Sequence, residues 1–226
     1  HTFCWETDPE DDVTEPEVWQ EATQTSWFDM GFSDVQQGMA VWTQRFGGNS
    51  WDDSKLWYRT WDGTAWSETY TLMDTTNWGN YVSSVSYRPG TQEAMLTYPG
   101  LSVMGYGRPH VHWWDGSGWS AQLSMHDSND LRNRSSIFSP DGAYALALNF
   151  ADCHHDMDQW FAIADADDKS WTHGVVSEGH PQHCYRGPYT IGMDPVTGTV
   201  VFSYTGEAES DVGNGYYRIA SIENGD

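Results

Sequence analysis

Positive charge is scarce in this chain. Lys55 and Lys169 are its two lysines among 10 basic residues, set against 33 carboxylates, and the formal net charge is −23 over 226 residues. Such a surface repels phosphate backbones and anionic bilayers, so nucleic acid and membrane surfaces are poor partners. Long apolar runs are missing as well, and no stretch approaches the roughly 20 residues that a helical membrane span needs. Cysteine is limited to Cys4, Cys153 and Cys184, too few for a repeating disulfide framework. No segment sustains the apolar period of a helix. A signal peptide is not visible, and a secreted protein would look the same after its removal.

Aromatics and turns are plentiful, with 14 Trp, 12 Tyr and 22 Gly. They recur in phase. Trp61-Asp62-Gly63-Thr64-Ala65-Trp66 returns as Trp114-Asp115-Gly116-Ser117-Gly118-Trp119, and a weaker copy follows at Asp167-Asp168-Lys169-Ser170-Trp171. Trp66, Trp119 and Trp171 step by 53 and 52 residues. A second marker, the glycines 38, 90, 142 and 198 at or beside turns, steps by 52, 52 and 56. Each repeat divides into short segments rich in Val, Tyr, Trp and Thr, which suit a pleated, half-buried surface. A repeat of this length with Asp-Gly turns reads as one four-stranded propeller blade. The expected fold is all-β, a β-propeller of about four four-stranded blades.

In the first repeat the strands are expected at 27–32, 39–44, 56–61 and 65–72; in the second at 82–87, 94–98, 111–114 and 118–123. The third repeat offers 135–139, 144–149, 159–163 and 170–176. The last repeat supplies three strands, 188–193, 199–204 and 216–222. Its fourth has a candidate at the other end of the chain, Glu17–Ala22, which would complete the last blade and remove an exposed sheet edge. The alternative is that the chain is a piece of a longer propeller. Residues 1–16 read as an acidic N-terminal segment and 17–226 as the propeller domain.

The acidic balance supports two readings: a solvated coat, or calcium held by clusters such as Asp8–Asp12 and Asp165–Asp168, although the EF-hand pattern is absent. A Cys153–Cys184 disulfide would fit an oxidising compartment, with Cys4 left over. With the sequon Asn133-Arg134-Ser135, this leans toward an extracellular or cell-surface location.

In a four-stranded meander the first and third turns of every blade share one end, and the long connections share the other. The second end holds the unusual loops, and loops carry function more often than their scaffold. His110 and His126 fall there. So do Cys153-His154-His155-Asp156 and His180-Pro181-Gln182-His183-Cys184, on loops expected to be neighbours. Three readings fit this cluster. One is structural, a Cys153–Cys184 disulfide tying two loops. Another is a copper or zinc site using His154, His155, His180 and His183 with Asp156. The third is a catalytic acid/base histidine with Asp156 or Glu178, for which no nucleophile is apparent. His110 and His112, two apart in a strand, share a face and would either chelate a metal or pack beside Trp113 and Trp114. The in-phase tryptophans are expected to pack between blades. Trp51, Tyr106 and Tyr185 are out of phase, in the long loops, and suit stacking on sugars.

The segments Leu56–Trp66 and His110–Trp119 resemble the repeats of bacterial sialidase-type, Asp-box propellers, whose Ser/Thr-x-Asp-x-Gly-x-x-Trp hairpin joins the third and fourth strands. Thr60, Asp62, Gly63 and Trp66 match in kind, as do Asp115, Gly116 and Trp119. The spacing departs, with Asp four residues before Trp instead of five. The resemblance implies a propeller; the family's arginine cluster and tyrosine nucleophile have no matching motif here, so its activity does not carry over. The functional expectation is a secreted binding or assembly module working through its long-loop face, with a glycan or protein partner or self-association. The alternatives are an extracellular copper- or zinc-binding protein and a glycan-active one.

Overall fold

The computed structural model describes residues 28–45, 54–75, 84–99, 109–125, 131–151, 159–177, 190–194, 196–205 and 215–221. Within them the strand-forming segments pair with their sequence neighbours. The first sheet holds β1 (Phe28–Phe32), β2 (Gly38–Arg45), β3 (Ser54–Trp61) and β4 (Tyr70–Thr75) in that order. The second holds β5 (Ser84–Tyr87), β6 (Ala94–Pro99), β7 (Pro109–Trp114) and β8 (Leu123–Ser124), and the third β9 (Leu131–Phe138), β10 (Tyr144–Ala151), β11 (Gln159–Asp165) and β12 (Trp171–Ser177). The fourth has three described strands, β13 (Thr190–Met193), β14 (Thr199–Thr205) and β15 (Gly215–Ser221). All pairings are antiparallel. The candidate closing strand Glu17–Ala22 lies outside the described residues.

The sheets stack face to face, and successive first strands pack together: β1 on β5, β5 on β9, β9 on β13. Among the described residues, no contact of similar extent joins β13 to β1. Each junction has its own apolar core. Met39, Val41 and Leu56 of the first sheet meet Val85, Tyr87 and Leu96 of the second. Met95, Val111 and Trp113 meet Phe138, Ala145 and Ala147, and Leu146 and Leu148 meet Ile191, Val200 and Phe202. Both faces of the inner sheets are therefore apolar, as full burial requires. The in-phase Trp119 and Trp171 do pack between sheets: Trp119 lies edge-on to Tyr58 of the preceding sheet at 5.7 Å, and Trp171 lies 6.1 Å from Trp113.

The first two repeats fold alike down to single hydrogen bonds. Trp61 bridges Trp66, and Trp114 bridges Trp119. Asp62 Oδ1 accepts the N–H groups of Thr64 and Ala65 and the Thr64 hydroxyl, and Asp115 Oδ1 does the same for Ser117 and Gly118. Gly63 and Gly116 take left-handed φ values of 98° and 96°, a conformation that favours glycine. Beyond each bridge, Ser67 Oγ accepts the Thr60 N–H and Ser120 Oγ accepts the Trp113 N–H, both at 3.0 Å. These serine contacts interrupt the ladder. The fourth strands accordingly resume late, at Tyr70 and Leu123, not as the continuous 65–72 and 118–123 expected from sequence.

Two further expectations are corrected. The third Asp turn is longer: Ala164 pairs Trp171, and Asp165 Oδ1 caps Asp167 and Asp168 while Asp168 Oδ1 caps Ser170. Lys169, at φ 60°, takes the left-handed position. In the first repeat, Gly38 is not the turn residue that Gly90, Gly142 and Gly198 are; Gln36 takes the left-handed turn conformation. Gly38 opens β2 because the Phe32 ring lies 2.5 Å from where its Cβ would stand.

The capping carboxylates make a measurable pH signature. Asp62 is held below the usual carboxylate range by the Ala65 N–H and by the hydroxyl and N–H of Thr64; Asp115 is lowered by the N–H groups of Ser117 and Gly118 and the Ser117 hydroxyl. A lowered folded pKa contributes stability that is present above the unfolded value near 3.9 and is lost as pH falls through the folded value. The double variant Asp62→Ala/Asp115→Ala should therefore melt below wild type at pH 7, and the gap should narrow below about pH 4. Thermal unfolding across pH checks this; a gap independent of pH would refute it.

Candidate functional site

The two ends of the stacked sheets differ. One end carries the short first and third turns, where several carboxylates and backbone groups find partners within the turn or on the next sheet. Asp34 accepts the Gly90 N–H at 2.9 Å, and Arg88 Nε donates to the Gly142 carbonyl at 2.8 Å. Arg88 also pairs with Glu93 at 2.7 Å and Asp167 at 2.8 Å. The acidic run Asp165–Asp168 belongs to this end. Its carboxylates face their own turn and Arg88, and among the described residues no group of three or more His, Cys, Asp or Glu is placed to hold a metal.

The other end carries the long connections. Antiparallel pairing sets the stems of three of them side by side, Arg45 and Ser54, Pro99 and Pro109, Phe150 and Gln159, and a fourth runs from Ser177 of the third sheet to Thr190 of the fourth. Trp51 falls between the first of these pairs and Tyr106 between the second. Cys153, His154, His155 and Asp156 fall between the third, and His180, His183, Cys184 and Tyr185 between the fourth. All ten lie outside the described residues. The last two loops spring from the third and fourth sheets, which adjoin through β13 on β9 and β10.

Beneath these stems the described residues form a polar layer that sequence reasoning largely missed. Asp29, second residue of β1, points toward the second sheet, and its Oδ2 accepts the Val85 N–H of β5 at 2.7 Å. Desolvation raises its pKa, against the lowering effect of the Val85 and Met30 N–H groups. Gly31, on the same face, lets β5 approach; a Cβ there would stand 3.0 Å from the Val85 carbonyl. One sheet further on, three buried hydroxyls interlock. Ser84 Oγ donates to the Ser136 carbonyl at 3.1 Å, and Thr97 Oγ1 lies 2.9 Å from Ser136 Oγ.

The third polar group settles how the His110-Val111-His112 run is used. His112 is buried, stacked on Tyr98 with ring planes 10° apart. Its Nδ1 lies 2.9 Å from the Ser120 carbonyl, which can only accept, so Nδ1 carries the proton. Nε2 then accepts the Tyr98 hydroxyl at 3.0 Å. Both nitrogens are engaged, and burial lowers the His112 pKa. His112 is a neutral packing residue; His110, 5.8 Å from the Tyr98 ring, lies beside the same pair. Asp29 had a sequence signal: it is the charged residue in an otherwise apolar alternation, Phe28-Asp29-Met30-Gly31-Phe32.

A desolvated carboxylate on an inter-sheet N–H makes opposite demands on charge and shape. A raised folded pKa gives stability that is full below the unfolded value and is lost as pH rises through the folded value. Asp29→Asn keeps an acceptor without the charge. It should match or exceed wild-type stability at pH 7, with the difference vanishing toward pH ~4. Asp29→Ala should lose about 1–3 kcal/mol by orphaning the Val85 N–H. Chemical denaturation at both pH values tests the pair; an Asn variant as unstable as Ala would show that the charge itself is needed.

No family model matches this chain, and no curated protein matches it in sequence. Solved structures match it in fold. An oligogalacturonate lyase in complex with manganese is 11% identical with a TM-score of 0.54, over 87% of this chain and 50% of that chain. The acylaminoacyl peptidase of Pyrococcus horikoshii is 11% identical with a TM-score of 0.52, over 89% and 32%. The β-propeller domain of the trilobed protease from Pyrococcus furiosus is 11% identical with a TM-score of 0.49, over 90% and 56%. The chain thus spans about half the length of the first of these, and at such identity the likeness is one of fold. Four antiparallel sheets in sequence order, stacked through successive first strands, make this chain a β-propeller.

Proposed function

We propose that this chain is a secreted binding module whose recognition face is the long-loop end. The observation behind this reading is the asymmetry of the two ends. At the turn end, carboxylates, hydroxyls and N–H groups are engaged with each other within the turns or with the neighbouring sheet. The long connections all leave from the opposite end, and they carry the out-of-phase aromatics and most of the histidines. Trp51, Tyr106 and Tyr185 supply flat faces for sugar rings, with nearby polar groups to fix orientation. The Asp62 and Asp115 hairpins support kinship with Asp-box propellers as scaffold, without that family's chemistry.

A glycan array separates the ends. Trp51→Ala, Tyr106→Ala and Tyr185→Ala should each weaken retention tenfold or more, about 1.4 kcal/mol, while Thr64→Ala at the turn end leaves it unchanged. Equal loss from both ends, or no glycan retained by wild type, would reject sugar recognition at this face.

A second reading has an observation of its own. The stems of the two histidine-bearing loops spring from adjoining sheets at one end. His154, His155, His180 and His183, with Asp156, then form a copper or zinc site, and Cys153 and Cys184 tie the loops. Native mass spectrometry after zinc or copper loading should find one ion per chain in wild type and none in His155→Ala/His183→Ala. Retention of the ion by the double variant would place it elsewhere.

A further inference from the structure

We propose that His112 is an acid-sensitive latch: at neutral pH its imidazole ties the outer edge of the second sheet to β7, and protonation releases that tie. The latch belongs to the scaffold and is independent of what the long loops bind.

The starting point is the outer strand. β8 is two residues long, against six for β4 and seven for β12. It pairs with β7 at two positions, Ser124 with His110 and Leu123 with Val111. Between that short ladder and the Trp114–Trp119 bridge, the chain is held through Ser120. The Ser120 N–H donates to the Trp113 carbonyl at 2.7 Å and its Oγ accepts the Trp113 N–H. Its carbonyl accepts the Nδ1–H of His112 at 2.9 Å. In the first sheet Ser67 makes the first two of these contacts with Thr60. Arg59 stands there in the place of His112, exposed, and its Nε donates to Thr69 Oγ1. In the third sheet that place is held by Ala162. Of these three sheets, the second is the one whose outer edge hangs on a side chain that titrates near neutral pH.

Acid acts on this tie through geometry. His112 is 6% exposed and Tyr98 1%. The neutral ring uses both nitrogens, Nδ1 toward Ser120 and Nε2 toward the Tyr98 hydroxyl at 3.0 Å. A second proton must go on Nε2, where the hydroxyl already points its hydrogen. The hydroxyl then loses its acceptor inside a junction that includes Leu96 and Trp114, and the new cation is cut off from water. The titratable groups that face this junction do not offset that cost. Tyr58 and Tyr70 of the first sheet, and Tyr87 and Tyr98 of the second, are phenols, which carry no charge in acid. Asp29 on β1 is taken up by the Val85 N–H. His110, half-buried, lies beside the Tyr98 ring, and its Nδ1 is 3.4 Å from the Leu123 carbonyl, a contact that a protonated ring still makes. Burial lowers the His112 pKa, partly offset by the Ser120 carbonyl. The latch is therefore at full strength above the unfolded value near 6.5 and weakens as the pH drops below it. Opening exposes the ring. One pH unit below 6.5 an exposed ring is protonated about ten times more often than not, so the open state gains about tenfold.

Hydrogen exchange of the full chain, corrected for the intrinsic effect of pH, tests this. Between about pH 7.5 and 5.5, peptides covering 109–125 should lose about tenfold in protection while those covering 54–75 keep theirs. His110→Gln should retain this acid step, and His112→Gln should abolish it. A ring-nitrogen NMR titration of wild type keeps the test valid if His112→Gln misfolds: His112 should carry its proton on Nδ1 and stay neutral as the pH passes below about 6.5. An acid step that survives His112→Gln or vanishes in His110→Gln would overturn the proposal. So would equal loss in both sets of peptides, a proton on Nε2 in the neutral ring, or free titration of His112 near 6.5.

Discussion

A β-sheet with two apolar faces cannot bury either of them by itself. Every other feature of this chain answers to that constraint. Met39, Val41 and Leu56 on one sheet need Val85, Tyr87 and Leu96 on the next, and so on along the stack. The repeat is therefore a unit of packing, not of stability. Burial at each junction runs to several side chains of about 1.5–3 kcal/mol apiece, and a sheet lacking a neighbour forgoes half of that. The two inner sheets are complete in this sense.

The hydrogen bonds refine what burial begins. Face-to-face contact alone tolerates sliding, whereas the Asp29–Val85 and Ser84–Ser136 contacts link the backbone of one sheet to a side chain of another. Each such contact is directional and fixes how far neighbouring sheets are offset. The polar layer thus joins adjacent first strands, and Gly31, by having no side chain, leaves room for the Val85 backbone beside it.

Much of this architecture was legible in the sequence because periodicity survives divergence. Trp119 and Trp171 mark inter-sheet positions at the expected spacing, and the Asp62 and Asp115 turns form as their residues dictate. What misled was local. Gly38 matched a turn marker in phase but answers to the Phe32 ring, a contact six residues away that spacing does not reveal. The serine contacts at Ser67 and Ser120 break the fourth strands without any change in hydrophobic pattern. Asp29 was readable in hindsight from alternation alone, yet its partner lies 56 residues on, beyond what a local pattern carries. The loop residues Trp51, Tyr106, His154, His155, Asp156, His180, His183 and Tyr185, with Cys153 and Cys184, owe their grouping to topology, which fixes the end from which they spring and not their mutual geometry.

Arg88 bears on how the molecule can move. It spans from its own turn to the Gly142 carbonyl and Asp167 of the next sheet, while Asp34 reaches from the first sheet to Gly90. The short-turn rim is in this way laced across three successive sheets. That rim is therefore a strap, and loosening Arg88 alone would free a turn on each of two sheets at once.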